Sequence, residues 1–400
     1  MCHPPPVSYW RLWTSSALSN LADGVFKVAL PLVAIDYTRS PVLVAGVSFA
    51  AALPWLLCAL PAGALADRLD RRHAMLAANA ARAALLAALA FGAGSIWVLY
   101  AIAFCVGVAE TLYDTSAQSI VPQVVPRADL SRANARLYAV EMTANEFVGP
   151  PLGGLLAGAG TLVAFATPAG LWVAAIGALL LLRGDYRPAR THRATMRADI
   201  VEGLRFLWHR NLLRTFAIAV GVSNFASNAR MAVLVLYAVG AMGLTETEYG
   251  ILLTTSAAGS LVGSFAAPAI ERALGRSRSI LAAFLVIALS IAAPTLTPNP
   301  WLVGAGFFIG GVGIMLSNVI LVSLRQRITP DHILGRVNSA YRLVAWGTIP
   351  LGAATGGLLA QWLGLRPVFA IAGALTLLLL IPISRFTDPV LDAAERDAGA

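Results

Sequence analysis

The chain has 400 residues, 58% of them hydrophobic and 12% charged, with a formal net charge of +9 and a mean hydropathy of +0.74. Soluble domains carry about 25% charged residues, so a water-soluble fold is excluded. The arginine surplus reads as contact with anionic lipid headgroups, not as a nucleic-acid footprint.

A membrane-spanning helix needs roughly 20 apolar residues. Twelve stretches qualify, at about 12–36, 42–65, 73–93, 96–119, 134–158, 161–182, 212–241, 247–270, 279–297, 300–324, 337–361 and 367–385. The first is long enough to be a membrane helix and not a cleaved leader.

That first stretch holds Asn20, Asp23 and Lys27. Asp23 and Lys27 are four apart, acid first, the favourable order for a pair within one helix. They are expected to neutralise each other; the alternative is a pair that opens when a proton or substrate arrives. Lys27 is the only lysine, which excludes a phosphate-binding loop of the G-x-x-x-x-G-K-[ST] type. Uphill transport by this chain would therefore need an ion gradient or a separate subunit.

The loop after the second stretch reads Gly63-Ala64-Leu65-Ala66-Asp67-Arg68-Leu69-Asp70-Arg71-Arg72. The fourth stretch holds Glu110 and Asp114, four apart and so on one helical face, with Gly107 a turn away. Like charges so placed repel, a geometry in which one of them holds a proton near neutral pH. Glu110 is expected either as a proton carrier or as the permanent partner of Arg82 or of a loop arginine. The fifth stretch carries Glu141, Asn145 and Glu146, then Gly149-Pro150-Pro151-Leu152-Gly153-Gly154. Glycines there admit a neighbouring helix and proline bends the backbone. At ~1.5 Å rise per residue, Asp23, Glu110 and Glu146 come near mid-depth. An ionisable group there costs at least ~2.5 kcal/mol and is functional by default.

Eight arginines fall between Arg183 and Arg214. Ile200, Leu204, Leu207 and Trp208 recur there at helical spacing, opposite Arg197, Glu202, Arg205 and His209, as in a helix lying in the headgroup layer. The segment reads as a tether whose basic face grips the membrane.

From residue 212 the pattern starts again. Ser19 and Asn20 return as Ser223 and Asn224, Gly46 as Gly250, and Arg68 and Arg72 as Arg272 and Arg276. Pro126, Leu130, Arg132 and Asn134 return as Pro330, Leu334, Arg336 and Asn338, all at an offset of 204. A constant offset means two copies of one unit. The expected organisation is a six-helix bundle over 1–183, a linker with an amphipathic helix over 184–211, a second bundle over 212–390 and a tail over 391–400. The second copy has no matching acids and offers Asn224, Asn228, Arg230, Asn318 and Arg342. Parallel repeats usually build a transport pathway at their interface. The cavity is expected there, lined by the first and fourth helices of each copy, with Phe26, Tyr113, Phe225 and Tyr237 as stacking surfaces or core.

Basic residues fall in every second loop, at Arg68, Arg71, Arg72, Arg127, Arg132, Arg272, Arg276, Arg278, Arg325, Arg327 and Arg336. The alternate loops hold almost none, which predicts both termini and the central loop in the cytoplasm. Cys58 and Cys105 read as small apolar residues. His3, His73, His192, His209 and His332 all lie in the tail or loops, so no histidine-based metal site or catalysis is expected inside the membrane.

The loop from Gly63 to Arg72 resembles the G-x-L-a-D-r-x-G-R-[KR] signature of the major facilitator superfamily, with Asp70 in place of the second glycine. Glu271, Arg272 and Arg276 echo it one repeat later. The resemblance implies an all-α membrane protein with twelve helices in two pseudo-symmetric six-helix bundles. It further implies a cytoplasmic latch in which Asp67 and Arg71 meet Asp114. Gly149 to Gly154 resembles the end of the antiporter motif of that superfamily, with Asn145 and Arg136 where the motif has upstream glycines. The Asp23-Gly24 pair and Glu202 to Leu207 are similar to the bacterial branch of macrolide, multidrug and siderophore exporters.

The resulting expectation is a monomeric secondary transporter in a bacterial inner membrane, without cofactor or metal, exporting an amphipathic small molecule in exchange for protons by alternating access. Its partners would be the substrate, protons and membrane lipid, and no nucleic acid. Glu110 and Glu146 are the preferred proton sites, with Asp23 in reserve. Asn20, Lys27, Asn145, Asn224, Asn228, Arg230 and Asn318 are candidate polar groups of the cavity. The alternatives are a flippase for lipid or lysolipid and a non-transporting sensor or scaffold. An intramembrane enzyme lacks its nucleophile motif.

Overall fold

The computed structural model describes residues 7–58, 61–62, 65, 68–91, 94–126, 129–184, 186–187 and 196–399, and among them every regular element is a helix. The chain forms two compact units, Met1–Arg190 with Gly243–Thr254, and Thr191–Met242 with Thr255–Ala400. Among the described residues, ten helices are long and apolar enough to cross a membrane.

Unit 1 contains α1 (Val7–Tyr37), α2 (Pro41–Leu57), α3 (Arg71–Ala90), α4 (Ile96–Val124), α5 (Leu130–Met142), a π-helical turn (Thr143–Val148), α6 (Gly149–Gly158) and α7 (Thr161–Leu180). Unit 2 contains α8 (Met196–His209), α9 (Asn211–Gly240), most of α10 (Glu246–Leu274), α11 (Arg276–Leu296), α12 (Pro300–Ile328), α13 (Asp331–Trp346), α14 (Ile349–Leu363), α15 (Leu365–Leu378), the short α16 (Leu380–Ile383) and α17 (Asp388–Gly399).

The packing repeats with the sequence. In unit 1, α1 lies on α6 and α7, and α3 lies on α4 and α7; in unit 2, α9 lies on α14 and α15, and α11 on α12 and α15. The turns before α7 and α15 use Gly160 (φ 116°) and Gly364 (φ 89°), one repeat apart, where any Cβ would be strained. Apolar cores fill each unit, around Phe26, Leu86, Phe165 and Trp172 in the first and Phe216, Phe284, Leu316 and Phe386 in the second.

Two of the twelve expected spans fall short of a full apolar helix. In the second, the apolar helix Pro41–Leu57 has 17 residues, short of a full span. The fifth is interrupted by the π turn, where the Gly149 amide bonds the carbonyl of Ala144, five residues back. Pro150 and Pro151 have no amide to offer the carbonyls one turn below them, which loosens the α-helical ladder at that point. The second copy breaks at the same register, between α13 and α14.

The linker and tail also differ from expectation. The helix in 184–211, α8, is packed along α13: a Cβ on Gly203 would lie 2.2 Å from the Arg336 carbonyl, and Glu202 pairs with Arg336. Leu207 is fully buried in the core of unit 2. With Leu207 buried and Leu204 packed beside it, while Trp208 stays half exposed, the helix is docked on unit 2 and is not a free tether. Residues 391–399 of the expected tail continue α17, whose Leu391 is buried in the same core.

Candidate functional site

The most buried charges of unit 1 lie where α1, α3, α4 and α7 meet. Arg82 of α3 is fully buried and Asp23 of α1 is 3% exposed. Arg82 Nη1 donates to both Asp23 oxygens, at 2.8 and 3.1 Å. Its Nη2 donates to Ser19 Oγ at 2.9 Å and to Asn79 Oδ1. The guanidinium carbon lies 4.8 Å from the Tyr113 ring centre and 4.9 Å from that of Trp172. A buried ion pair recovers its desolvation only with such added hydrogen bonds, and the two ring faces add cation–π attraction.

One turn along α1, Lys27 Nζ meets Glu110 Oε1 of α4 at 3.1 Å. Lys27 is half exposed and Glu110 only 13% exposed. The expected pair between Asp23 and Lys27 is therefore not formed, and Arg82 is not the partner of Glu110. Each cation binds an acid on another helix. Side chains four apart on α1 both point into the bundle, and the acid and base nearest each across the helix gap are better placed than its own neighbour.

Below this layer, Asn20 and Asn145 join α1 to the π turn. Asn145 Nδ2 donates to Asn20 Oδ1 at 2.8 Å, and Asn20 Nδ2 to the Ser16 carbonyl at 2.8 Å. The backbones nearly touch here: a Cβ on Gly149 would lie 2.6 Å from Gly24 Cα. Glu146, in the same turn, is exposed, so it is not part of the buried network.

A cavity of about 390 Å³ opens between α1, α4 and α5, lined by Asn20, Tyr113, Asp114, Gln118, Tyr138 and Glu141 among others. Asp114 makes no hydrogen bond or ion pair among the described residues. Arg71, its expected latch partner, donates instead to the Ser119 carbonyl at 2.7 Å. The latch between Arg71 and Asp114 is thus not closed in this structure. Asp67 lies outside the described residues. Asp70, the departure from the signature, caps α3 by accepting from the His73 amide at 3.0 Å and also accepts from the Tyr186 amide at 2.9 Å. An aspartate followed by a helix is a cap signal that the loop signature concealed. Arg82 was legible too, as the one charge of α3 beyond its first turn, with Asn79 one turn before it.

In unit 2, Asn224 donates to the Ala345 carbonyl at 2.7 Å and Asn228 to the Asn224 carbonyl at 2.9 Å. Arg230 stacks 4.4 Å over Phe307 and Arg342 stacks 4.3 Å over Trp346, while Asn318 is exposed on α12. Of the aromatic candidates, Phe26, Tyr113 and Tyr237 are buried, so all three serve the cores.

Two repeated six-helix units with paired charges inside the first define a transporter of the major facilitator type, not an enzyme. Solved structures share the fold: nucleoside transporter NupG gives a TM-score of 0.75 at 12% identity, covering 95% of this chain and 99% of that one. A bacterial homologue of the iron transporter ferroportin, in its inward-facing state, gives 0.71 at 17% identity, covering 95% and 98%. The family described as transmembrane secretion effector matches residues 7–400. The chain belongs to that family and is a multi-pass membrane protein. Its relatives include the multidrug efflux pump Tap of Mycolicibacterium fortuitum, 30% identical over 388 residues, 92% of each chain. The Tap pump of Mycobacterium tuberculosis (strain ATCC 25618 / H37Rv) is 28% identical over 373 residues, 89% of this chain and 87% of that one.

Proposed function

We propose that this transporter exports an amphipathic small molecule in exchange for protons by alternating access, with Glu110 as the proton carrier. It would act as a monomer in a bacterial inner membrane, with both termini in the cytoplasm. The observation that carries the coupling is the contrast between the two ion pairs. Asp23 and Arg82 are sealed by Ser19, Asn79 and two aromatic rings, and suit a fixed structural role. Lys27 and Glu110 share a single contact of 3.1 Å, and Lys27 is half exposed. A proton arriving at Glu110 neutralises the carboxylate and cuts that contact; its departure restores it. An element with two arrangements set by one proton is what coupling requires. The outward direction of transport rests on the relatives named as efflux pumps.

The test is flux in proteoliposomes under an imposed pH gradient. The parent should accumulate a fluorescent amphiphile uphill. Glu110→Gln should lose uphill accumulation and keep downhill exchange. Parental uphill transport by Glu110→Gln would overturn the assignment of the proton site, and movement of labelled lysolipid but no solute would favour a flippase.

A further inference from the structure

The last helix, α17, carries four acids, Asp388, Asp392, Glu395 and Asp397, against the single base Arg396. It is docked on the second copy of the signature loop. Arg276 Nη1 donates to Glu395 Oε1 at 2.6 Å and Nη2 to Asp392, and Arg327 of α12 reaches the same Glu395 oxygen at 3.5 Å. The Ser277 amide, at the start of α11, donates to Asp388 Oδ1 at 2.8 Å. A Cβ on Gly275 would lie 2.6 Å from Asp388 Oδ2, so the glycine is what lets that carboxylate so close to the loop. Glu395 thus staples the start of α11 to the end of α12. The apolar share of the contact is small: Leu391 is buried, but Val390 is 43% exposed. Phe386, just ahead of the helix, is buried and lies 5.4 Å from the Phe216 ring, which fixes a pivot.

The arginines that hold α17 lie at the membrane boundary. Only Gly275 separates α10 from α11, and both are long and apolar enough to cross a membrane. Arg272 and Arg276 are therefore within a turn of the ends of two spans. A cavity of about 510 Å³ opens there, lined by Arg272, Arg276, Arg327, Glu271, Asp388 and Asp392. Arg272 pairs with no acid among the described residues; its Nε donates to the Pro268 carbonyl at 3.1 Å. With α17 docked, the three arginines face Glu271, Asp388, Asp392 and Glu395; with α17 away they face Glu271 alone. A guanidinium fork takes a phosphate as it takes a carboxylate, and the amides at a helix start favour either anion. An anionic leaflet attracts these arginines and repels the acids of α17, so both forces act against the docked helix. Asp392 and Arg327 are more than half exposed, and ion pairs open to water hold weakly.

We infer that α17 is a displaceable strap on a binding site for anionic phospholipid. Arg272, Arg276, Arg327 and the Ser277 amide take a headgroup phosphate when Asp388, Asp392 and Glu395 leave them, and the staple between α11 and α12 opens. The docked fraction is set by the charge of the adjoining leaflet. This goes beyond the export reading and needs neither the proton nor the exported solute.

The test is hydrogen–deuterium exchange of the purified full chain in nanodiscs of phosphatidylcholine, alone or mixed with phosphatidylglycerol. Residues 388–399 and the first turn of α11 should be protected in neutral discs and exchange several-fold faster in anionic ones. Asp392→Asn combined with Glu395→Gln should exchange fast in both. Arg272→Gln removes a phosphate ligand but no contact of α17. It should keep parental protection in neutral discs and lose most of the response to phosphatidylglycerol. Glycerol phosphate added to neutral discs should release nothing; release by it would make a free anion the ligand and overturn the lipid site. Equal exchange of the parent in both kinds of disc overturns the strap, as does slower exchange in anionic discs. A full phosphatidylglycerol response in Arg272→Gln overturns the assignment of the seat.

Discussion

Asp23, Lys27, Arg82 and Glu110 of the first unit stand where the second has Ser227, Met231, Val286 and Ile314, one repeat of 204 residues further on. The framework around these positions is kept. Ser19 and Ser223 persist, the turns at Gly160 and Gly364 persist, and the fifth helix of each copy breaks at one register. The second unit therefore shows that this packing does not need charge at these four positions. Replacing a buried ion pair by apolar residues is often neutral or stabilising, so the charges of the first unit are retained against stability. That is the pattern expected of groups kept for what they do. The signature loops diverge in the same way. Arg72 donates to the carbonyls of Leu179 and Leu180 at the end of α7, whereas Arg276, its counterpart, pairs with Asp392 and Glu395 of α17.

The sharpest way to break this contrast is to remove the buried cation. Arg82→Ala leaves Asp23 buried and unpaired, and should cost about 3–5 kcal/mol in unfolding of the detergent-solubilised protein. Val286→Ala, at the matching position of unit 2, should cost on the order of 1 kcal/mol for the methyl groups lost. The double change Asp23→Ser with Arg82→Val, which writes the residues of unit 2 into unit 1, should recover most of the loss. Equal costs for Arg82→Ala and Val286→Ala would dissolve the distinction between the units.

Helix contact should show the opposite, an equal response in both copies. A Cβ on Gly149 would lie 2.6 Å from Gly24 Cα, and one on Gly356 would lie 2.3 Å from the Ala229 carbonyl. Gly149→Ala and Gly356→Ala should each lower stability by about 1–3 kcal/mol through overpacking, read by thermal unfolding. A large effect in one copy alone would mean that the frameworks differ as well.

The smallest effect belongs to the loops. Arg72→Ala and Arg276→Ala should each cost about 1 kcal/mol, the net scale of a hydrogen bond at a partly buried site. They should separate under limited trypsin digestion: Arg276→Ala releases α17 and speeds cleavage at Arg385 several-fold, while Arg72→Ala leaves that site as slow as in the parent. Equal cleavage of the two would show that the carboxylates of α17 do not hold it in place.

Much of the fold is legible in the amino-acid order. Hydropathy locates the membrane helices, and the offset of 204 residues exposes the duplication, because both are periodic properties of the chain. Asp23, Lys27 and Glu110 are identified by depth, since an ionisable group in an apolar stretch is conspicuous wherever it points. Their partners are not legible. Spacing reports neighbours on one helix, so it joins Asp23 to Lys27, whereas Arg82 and Glu110 reach them from helices 59 residues (Asp23 to Arg82) and further away in the chain. The linker helix is misplaced for a similar reason: an amphipathic face fits a headgroup layer or a protein surface equally well, and only α13 decides between them.

Sequence alone determined the solvent, the repeat and the kinds of charge held inside the bilayer, because each follows from composition or from residues read in order. Tertiary structure alone decided which charges meet, that Asp114 lines a cavity, and that α8 and α17 belong to the core of unit 2. Those are properties of distance across helices. Electrostatic energy falls with separation in space, and a chain folded into antiparallel helices sets that separation through contacts far apart along it.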